Sequence, residues 1–205
     1  MTRLILARHG NTFGPGETPV WVGAKEDLPL VEKGEDQAES LGTALANAGV
    51  KLDRIITGPL RRTRRAADLV ADAVDFNGPI EIDERLKEID YGPWGGLSDA
   101  EIIEAFGEAP LTAWRDRHEV PEGAGWSPTP GTLRSNAVAV LNDARRSNGT
   151  VLVITSNGIL RFFHAALGFK GDAKVKTGHV GAADLTADGD TPRFWNLDPA
   201  GGLPL

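Results

Sequence analysis

Residues 151–158 read VLVITSNG, and this stretch indicates how the chain folds. Five of its first six residues favour a β-strand, a sharp Ser156-Asn157-Gly158 follows, and a helical pattern comes next. A buried strand that ends in a tight turn before a helix is a common place for a binding site. The role of Asn157 at this turn is therefore the first question that the sequence raises.

Strand-like and helix-like patterns alternate along the rest of the chain. This alternation predicts one α/β domain over residues 1–205, with a mostly parallel sheet. The predicted strands lie at 4–7, 54–57, 80–82, 151–155, 179–185 and 193–197. The predicted helices run from 35 to 48, from Pro59 to 74, over 98–108 and 110–118, around 137–144 and over 159–167. Residues 13–33, 92–97 and 121–131 are rich in Gly or Pro and are predicted to be loops.

The composition narrows the classes of function. Hydrophobic residues make up 40% and charged residues 25% of the 205 positions, which is typical of a globular protein. Cysteine is absent, which excludes disulfides and thiolate chemistry and suits a reducing compartment. A net charge of −7 argues against nucleic acid as a partner. The N-terminus lacks the features of a signal peptide and no apolar run suits a membrane helix, so we expect a cytoplasmic protein with no membrane partner.

Charged and polar side chains follow three of the predicted strands. In a parallel sheet the carboxyl ends of the strands meet at one rim, where ligands bind. Arg8-His9-Gly10, the arginines of segment 61–65 and Ser156-Asn157-Gly158 should meet there. Cations at a helix start are unfavourable unless an anion lies nearby, and a phosphate would satisfy both the helix amides and a guanidinium group. The residues alone leave two interpretations open: a phosphate site, or an ordinary strand end beside a solvated helix face.

Four segments together resemble the histidine phosphatase superfamily, which includes phosphoglycerate mutase and acid phosphatases. They are LILARHGNT (4–12), GPLRRTRRAA (58–67), LKEIDYGPWGG (86–96) and VITSNGILR (153–161). The resemblance covers essentially the whole chain. It implies a three-layer α/β/α sandwich like that of phosphoglycerate mutase. It also implies phosphoryl transfer from a small phosphorylated substrate, without a metal or other cofactor.

The resemblance assigns roles to individual residues. His9 matches the histidine that becomes phosphohistidine, and Arg8 matches an arginine that binds the phosphate. Arg62 matches the second phosphate arginine, with Arg61 and Arg64 as the alternatives. Glu88 matches the acid that protonates the leaving oxygen, which requires a raised pKa. The positions that match the substrate pocket are Asn11, Thr12, Gly23 and Gly158.

Asn157 falls where the family has a second histidine. An amide keeps a hydrogen-bond donor but carries no charge, so the resemblance implies slowed chemistry at this position. Three interpretations stay open: a working phosphatase with a weaker pocket, a phosphate-ester binding or regulatory protein without turnover, and a variant whose natural form has histidine. Phosphoglycerate mutase activity is a further alternative, although the mutases of the family usually carry an insertion for which this chain has little room.

Other positions bear on the substrate and on assembly. Gly95 and the segment 125–128 depart from the family at positions near the substrate. Trp21, Trp94 and Trp126 are candidates for the wall of the pocket mouth, with packing of the loops as the default alternative. Of the remaining histidines, His179 is the candidate to replace the second histidine. His164 and His118 are expected in the core or on the surface, and no histidine pair has metal-ligand spacing. The strands within 179–197 are predicted edge strands through which a homodimer would form.

Overall fold

The computed structural model describes all 205 residues and contains one six-stranded sheet. The strands are β1 (Thr2–Arg8), β2 (Arg54–Thr57), β3 (Ile80–Ile82), β4 (Thr150–Thr155), β5 (Val180–Leu185) and β6 (Asp190–Leu197). Their order across the sheet is β3-β2-β4-β1-β5-β6. The first four strands in this order pair in parallel, and β5 and β6 add antiparallel pairs. The predicted mostly parallel sheet is confirmed.

Six α-helices accompany the sheet. They are α1 (Glu32–Asn47), α2 (Arg61–Ala73), α3 (Asp99–Phe106), α4 (Glu108–Arg117), α5 (Pro130–Arg145) and α6 (Asn157–Ala166). Alternate residues of β1 enter different cores: Ile5 and Ala7 pack with α1 and α2, whereas Leu4 and Leu6 pack with α5 and α6. Helices therefore cover both faces of the sheet, which confirms the three-layer α/β/α sandwich.

Several helix boundaries differ from their predictions. Helix α1 begins at Glu32 rather than at 35, and its first turn carries acidic residues that suit the positive end of the helix dipole. Pro59 lies before α2, because the extended Leu60 is the N-cap residue. Helix α5 begins at Pro130, inside the predicted loop, where the Thr129 side chain caps it. Helix α6 begins at Asn157 rather than at 159, directly after the extended Ser156.

The edges of the sheet correct one prediction about assembly. Strand β5 pairs with β1 on one side and with β6 on the other, so it is not an edge strand. Only β6 and the three-residue β3 lie at the edges. A homodimer formed through the sheet would therefore have to use β6 or β3, because the backbone groups of β5 are already paired. None of the helices is both long and apolar enough to span a membrane.

Candidate active site

A cavity of about 680 Å³ opens at the carboxyl ends of β1, β2 and β4. The predicted residues that line it are Arg8, His9, Asn11, Thr12, Arg62, Glu88 and Asn157. The parallel pairing brings these strand ends to one rim, as expected for a sheet of this kind. A second hollow of about 490 Å³, between α1 and the turn Pro199–Gly201, contains no titratable side chain. The first cavity is therefore the candidate active site.

His9 presents one ring nitrogen to the cavity. Its Nδ1 lies 2.7 Å from the carbonyl oxygen of Gly10. A carbonyl oxygen only accepts hydrogen bonds, so Nδ1 carries the proton and Nε2 keeps its lone pair. Burial, together with the nearby Arg62 and Arg8, lowers the pKa of His9 well below its ordinary value. The imidazole is therefore neutral near pH 7, with a free Nε2.

Arg8 and Arg62 are held by carbonyl oxygens and not by carboxylates. Arg8 Nη1 donates to the carbonyl of Val175 at 2.7 Å. Arg62 is 1% exposed and donates to the carbonyls of Glu26 at 2.8 Å and Gly23 at 3.0 Å. Neither arginine forms a salt bridge. Two cations without counterions beside a neutral imidazole form a site suited to an anion.

Only one of the four arginines near the start of α2 reaches the cavity. Arg61, Arg64 and Arg65 are exposed, and Arg65 pairs with Glu35 on α1. Arg62 alone points inward, so it is the arginine of this segment that can contact a ligand. The interpretation as a solvated helix face therefore holds for Arg61, Arg64 and Arg65 but not for Arg62.

Glu88 is a buried carboxyl group between two backbone donors. Its oxygens accept from Ile89 N at 2.9 Å and from Gly158 N at 3.2 Å. Burial raises its pKa, and this effect exceeds the opposing effects of the two amides, Arg62 and Arg8. Part of the Glu88 population therefore stays protonated at a higher pH than for an exposed glutamate, which suits a proton donor.

Asn157, the first residue of α6, is fixed through its amide oxygen by the backbone of the segment between α6 and β5. Oδ1 accepts from Val175 N at 2.8 Å, which assigns the oxygen and leaves the Nδ2 hydrogens without a partner. Because Val175 also accepts from Arg8 through its carbonyl, one residue positions both side chains. Asn157 lines the cavity and can offer its Nδ2 hydrogens to a bound anion.

The predicted glycines lie beneath the cavity rather than in its wall. Gly23 accepts from Arg62, and Gly158 donates to Glu88. A Cβ on Gly158 would lie 2.3 Å from Glu88 Oε1, so only glycine allows this approach. Gly10 serves packing in the same way, since a Cβ there would lie 2.1 Å from the carbonyl oxygen of Gly34.

Arg161 lines the cavity, although sequence reasoning did not identify it. It is 5% exposed and lies one helical turn after Asn157, on the same face of α6. The sequence feature that could have identified Arg161 is its spacing of four residues from Asn157, which places both on one face of a helix. The helix was predicted to begin at 159, so Asn157 lay outside it and the spacing carried no information.

The other histidines and the tryptophans take varied positions. His179 contacts the carbonyl of Asn196 and does not line the cavity. His164 is buried and stacks on Phe169, as the core interpretation expects. Trp21 lines the cavity, but Trp94 and Trp126 are buried in the aromatic cluster behind it, so two of the three proposed wall positions are wrong. Trp114 lines the cavity as well, together with Phe13 and Tyr91.

Two solved structures are similar to this chain over nearly its full length. The alpha-ribazole phosphatase from Shigella flexneri has a TM-score of 0.71 at 23% identity, covering 96% of each chain. The mycobacterial glucosyl-3-phosphoglycerate phosphatase has a TM-score of 0.78 at 20% identity, covering 96% of this chain and 99% of that one. At these identities the likeness supports the fold alone.

Sequence comparisons carry the family assignment. A 2,3-bisphosphoglycerate-dependent phosphoglycerate mutase of Caulobacter vibrioides is 36% identical over 124 residues, which are 59% of this chain and 51% of the mutase. The chain thus spans about half the length of the curated relatives that it matches. The sequence profile of the histidine phosphatase superfamily (branch 1) matches residues 4–196, a range that contains every residue described at the cavity. This chain therefore belongs to the histidine phosphatase superfamily.

Proposed function

We propose that this protein is a phosphatase that hydrolyses a small phosphate monoester through a phosphohistidine at His9. The observation that carries the proposal is the protonation pattern of His9, whose Nδ1 is bound to a carbonyl while Nε2 is free in the cavity. Arg8 and Arg62, both without counterions, supply the charge that a phosphoryl group needs. Phosphoryl transfer depends mainly on such positioning and charge stabilisation.

The reaction proceeds in two balanced steps. In the first, His9 Nε2 attacks phosphorus, the bond from phosphorus to the ester oxygen breaks, and Glu88 gives its proton to the departing oxygen. In the second, water attacks the phosphohistidine, the phosphorus–nitrogen bond breaks, and the Glu88 carboxylate takes a proton from the water. Inorganic phosphate leaves, and both residues return to their starting protonation states.

Asn157 takes the place of the family's second histidine in this proposal. Its Nδ2 hydrogens donate to an oxygen of the transferring phosphoryl group, with Oδ1 held by Val175. A neutral donor is roughly half as strong as a charged one, so the asparagine gives a slower enzyme and not an inactive one. The amide of Asn157 is already oriented by its hydrogen bond with Val175, which supports retained activity. A donor that is already in position needs no reorganisation during the reaction.

The test measures phosphate release from p-nitrophenyl phosphate and from a panel of sugar and glycerate phosphates. Wild type should release phosphate, and samples from ³²P-labelled ester, denatured in alkaline SDS, should contain a protein-bound phosphoryl group that is stable in alkali and lost in acid. His9→Ala should lose both signals. His179→Ala is the matched control, since it removes a histidine outside the cavity, and it should keep both.

Two other results would replace the proposal. Isomerised glycerate phosphates without released phosphate would indicate a mutase, the activity named for the curated relatives. Ester binding without turnover or protein phosphorylation in the wild type would indicate a binding or regulatory protein.

A further inference from the structure

Arg161 is a buried cation that only neutral groups hold. Its Nη1 donates to the carbonyls of Trp114 at 3.0 Å and Arg115 at 3.3 Å, and it contacts Nδ1 of His118. The guanidinium carbon lies 4.8 Å from the ring centroid of Trp114. No carboxylate forms a salt bridge with Arg161, and its Nε is buried without a partner. A buried charge is normally paired, so Arg161 is suited to bind an anion.

The position of Arg161 separates it from the phosphate arginines. Its partners belong to α4 and the residue after it, and α4 forms part of the cavity wall outside the rim of the sheet. Arg8 and Arg62 are instead held by the carbonyls of Val175, Glu26 and Gly23. Arg161 therefore faces the part of a substrate that lies beyond the transferring phosphoryl group.

The acidic side chains around the cavity leave this cation unneutralised. Asp99 pairs with Arg115, and Asp116 and Asp172 are exposed at the mouth. Glu88, the one buried carboxyl group of the cavity, is bound by backbone amides. In the proposed reaction the transferring phosphoryl group engages Arg8 and Arg62, so Arg161 stays available for a further negative charge.

We propose that Arg161 is a specificity-determining residue that binds a second anionic group, a carboxylate or a second phosphoryl group, on the leaving part of the substrate. This inference rests on the proposed phosphatase function. The guanidinium binds oxyanions through parallel N–H donors, and the Trp114 ring and the two carbonyls fix its plane before the substrate arrives. An ester whose alcohol part carries no charge would give Arg161 no anionic partner, and the buried guanidinium would stay unpaired.

Three substrates with one carbon skeleton test the proposal: glycerol 3-phosphate, 3-phosphoglycerate and glycerol 1,3-bisphosphate. They differ at one end, where they carry a hydroxyl, a carboxylate or a second phosphate. Wild type should favour one or both of the last two, and the preferred one identifies the anion. Arg161→Met should raise KM for the preferred ester by about 10- to 100-fold, the range expected for losing a hydrogen bond between charged groups. Its KM for glycerol 3-phosphate should change by a smaller factor, because this ester offers no second anion to the guanidinium group.

The controls keep the outcomes distinct. Arg64→Met makes the same chemical change on an exposed position of α2 and should leave the substrate preference unchanged. Arg161→Lys keeps the positive charge but lacks the planar guanidinium group, so it should retain part of the preference for the doubly anionic esters. Melting curves report folding, and if Arg161→Met does not fold, the wild-type preference and the lysine variant decide the question.

Equal kinetics of wild type with all three esters, or a uniform loss in Arg161→Met, would overturn the inference. Calorimetry with the same esters and the His9→Ala variant measures binding without turnover. It therefore distinguishes failure of the inference about Arg161 from failure of the proposed phosphatase function. Tighter binding of the doubly anionic esters that depends on Arg161, in a protein whose wild type shows no turnover, would support the subsite while rejecting the phosphatase. Turnover without any preference would support the phosphatase while rejecting the subsite.

Discussion

Glu88 and Gly158 lie 70 residues apart in sequence and in direct contact in the fold, where the Gly158 amide donates to Glu88 Oε2 at 3.2 Å. Gly158 is the second residue of α6, and Glu88 follows the short helical turn Glu84–Leu86. The absence of a side chain at Gly158 allows the carboxyl group to approach the helix start beside His9 and Asn157. Four predictions follow from this arrangement and from its neighbours.

Gly158→Ala should displace the Glu88 carboxyl group. The new Cβ would lie 2.3 Å from Glu88 Oε1 and 2.6 Å from the Tyr91 hydroxyl, so these side chains must move. Such overpacking costs about 1–3 kcal/mol of folding free energy, and a displaced acid should lower kcat for alkyl phosphates. Gly131→Ala is the matched control, because Gly131 is also the second residue of its helix and its Cβ would meet only Thr129 Oγ1, at 3.8 Å. Equal melting temperatures and equal kcat for the two variants would show that the Glu88–Gly158 approach is unimportant.

Glu88→Gln should affect substrates according to their leaving groups. Glutamine is similar in shape but has no proton to transfer, so kcat for alkyl phosphates should fall by about 10²–10⁴. The loss should be much smaller with p-nitrophenyl phosphate, because nitrophenolate departs without protonation. The measurement is the ratio of kcat values for the two ester classes in wild type and variant. An unchanged ratio would remove Glu88 from the role of acid.

Asn157 variants should separate its donor from its acceptor. Asn157→Asp keeps an oxygen for Val175 N but replaces the Nδ2 hydrogens with a negative charge. Its kcat should fall by at least the ~10²–10³ typical of a lost transition-state donor. Asn157→His should raise kcat above that of wild type, since a protonated imidazole is a charged donor. Steady-state kinetics with p-nitrophenyl phosphate would reveal a contrary order, in which the aspartate variant matches wild type or the histidine variant is slower.

The pH profile of kcat/KM should be bell-shaped. His9 acts as a neutral nucleophile, so activity rises as pH increases through its pKa, which burial and the two arginines hold well below the ordinary value. Glu88 acts first as an acid, so activity falls as pH increases through its pKa, which burial raises. Glu88→Gln should lose the falling limb that belongs to Glu88 while keeping the rising limb. A profile in which the variant keeps both limbs would assign the falling limb to another group.

The site could be predicted from sequence only where its residues lie in contiguous motifs. His9 follows a buried strand directly and Glu88 belongs to the LKEIDYGPWGG segment, but the residues alone left their roles open, and the resemblance to the family assigned them. The choice among the arginines near the start of α2 needed the family pattern, because all of them carry the same charge. The four arginines differ in exposure because they point to different sides of α2. The packing of α2 against α1 fixes which side faces solvent.

Local sequence by itself determined the alternation of strands and helices, and with it an α/β domain with a mostly parallel sheet. The physical reason is that hydrophobic period and turn residues act over a few neighbouring positions. Tertiary structure alone decided that Arg161 enters the cavity, that Val175 holds both Arg8 and Asn157, and that Gly158 makes room for Glu88. Each of these depends on groups from distant segments that meet only after the chain packs, and no local pattern encodes the space or the charge that they find there.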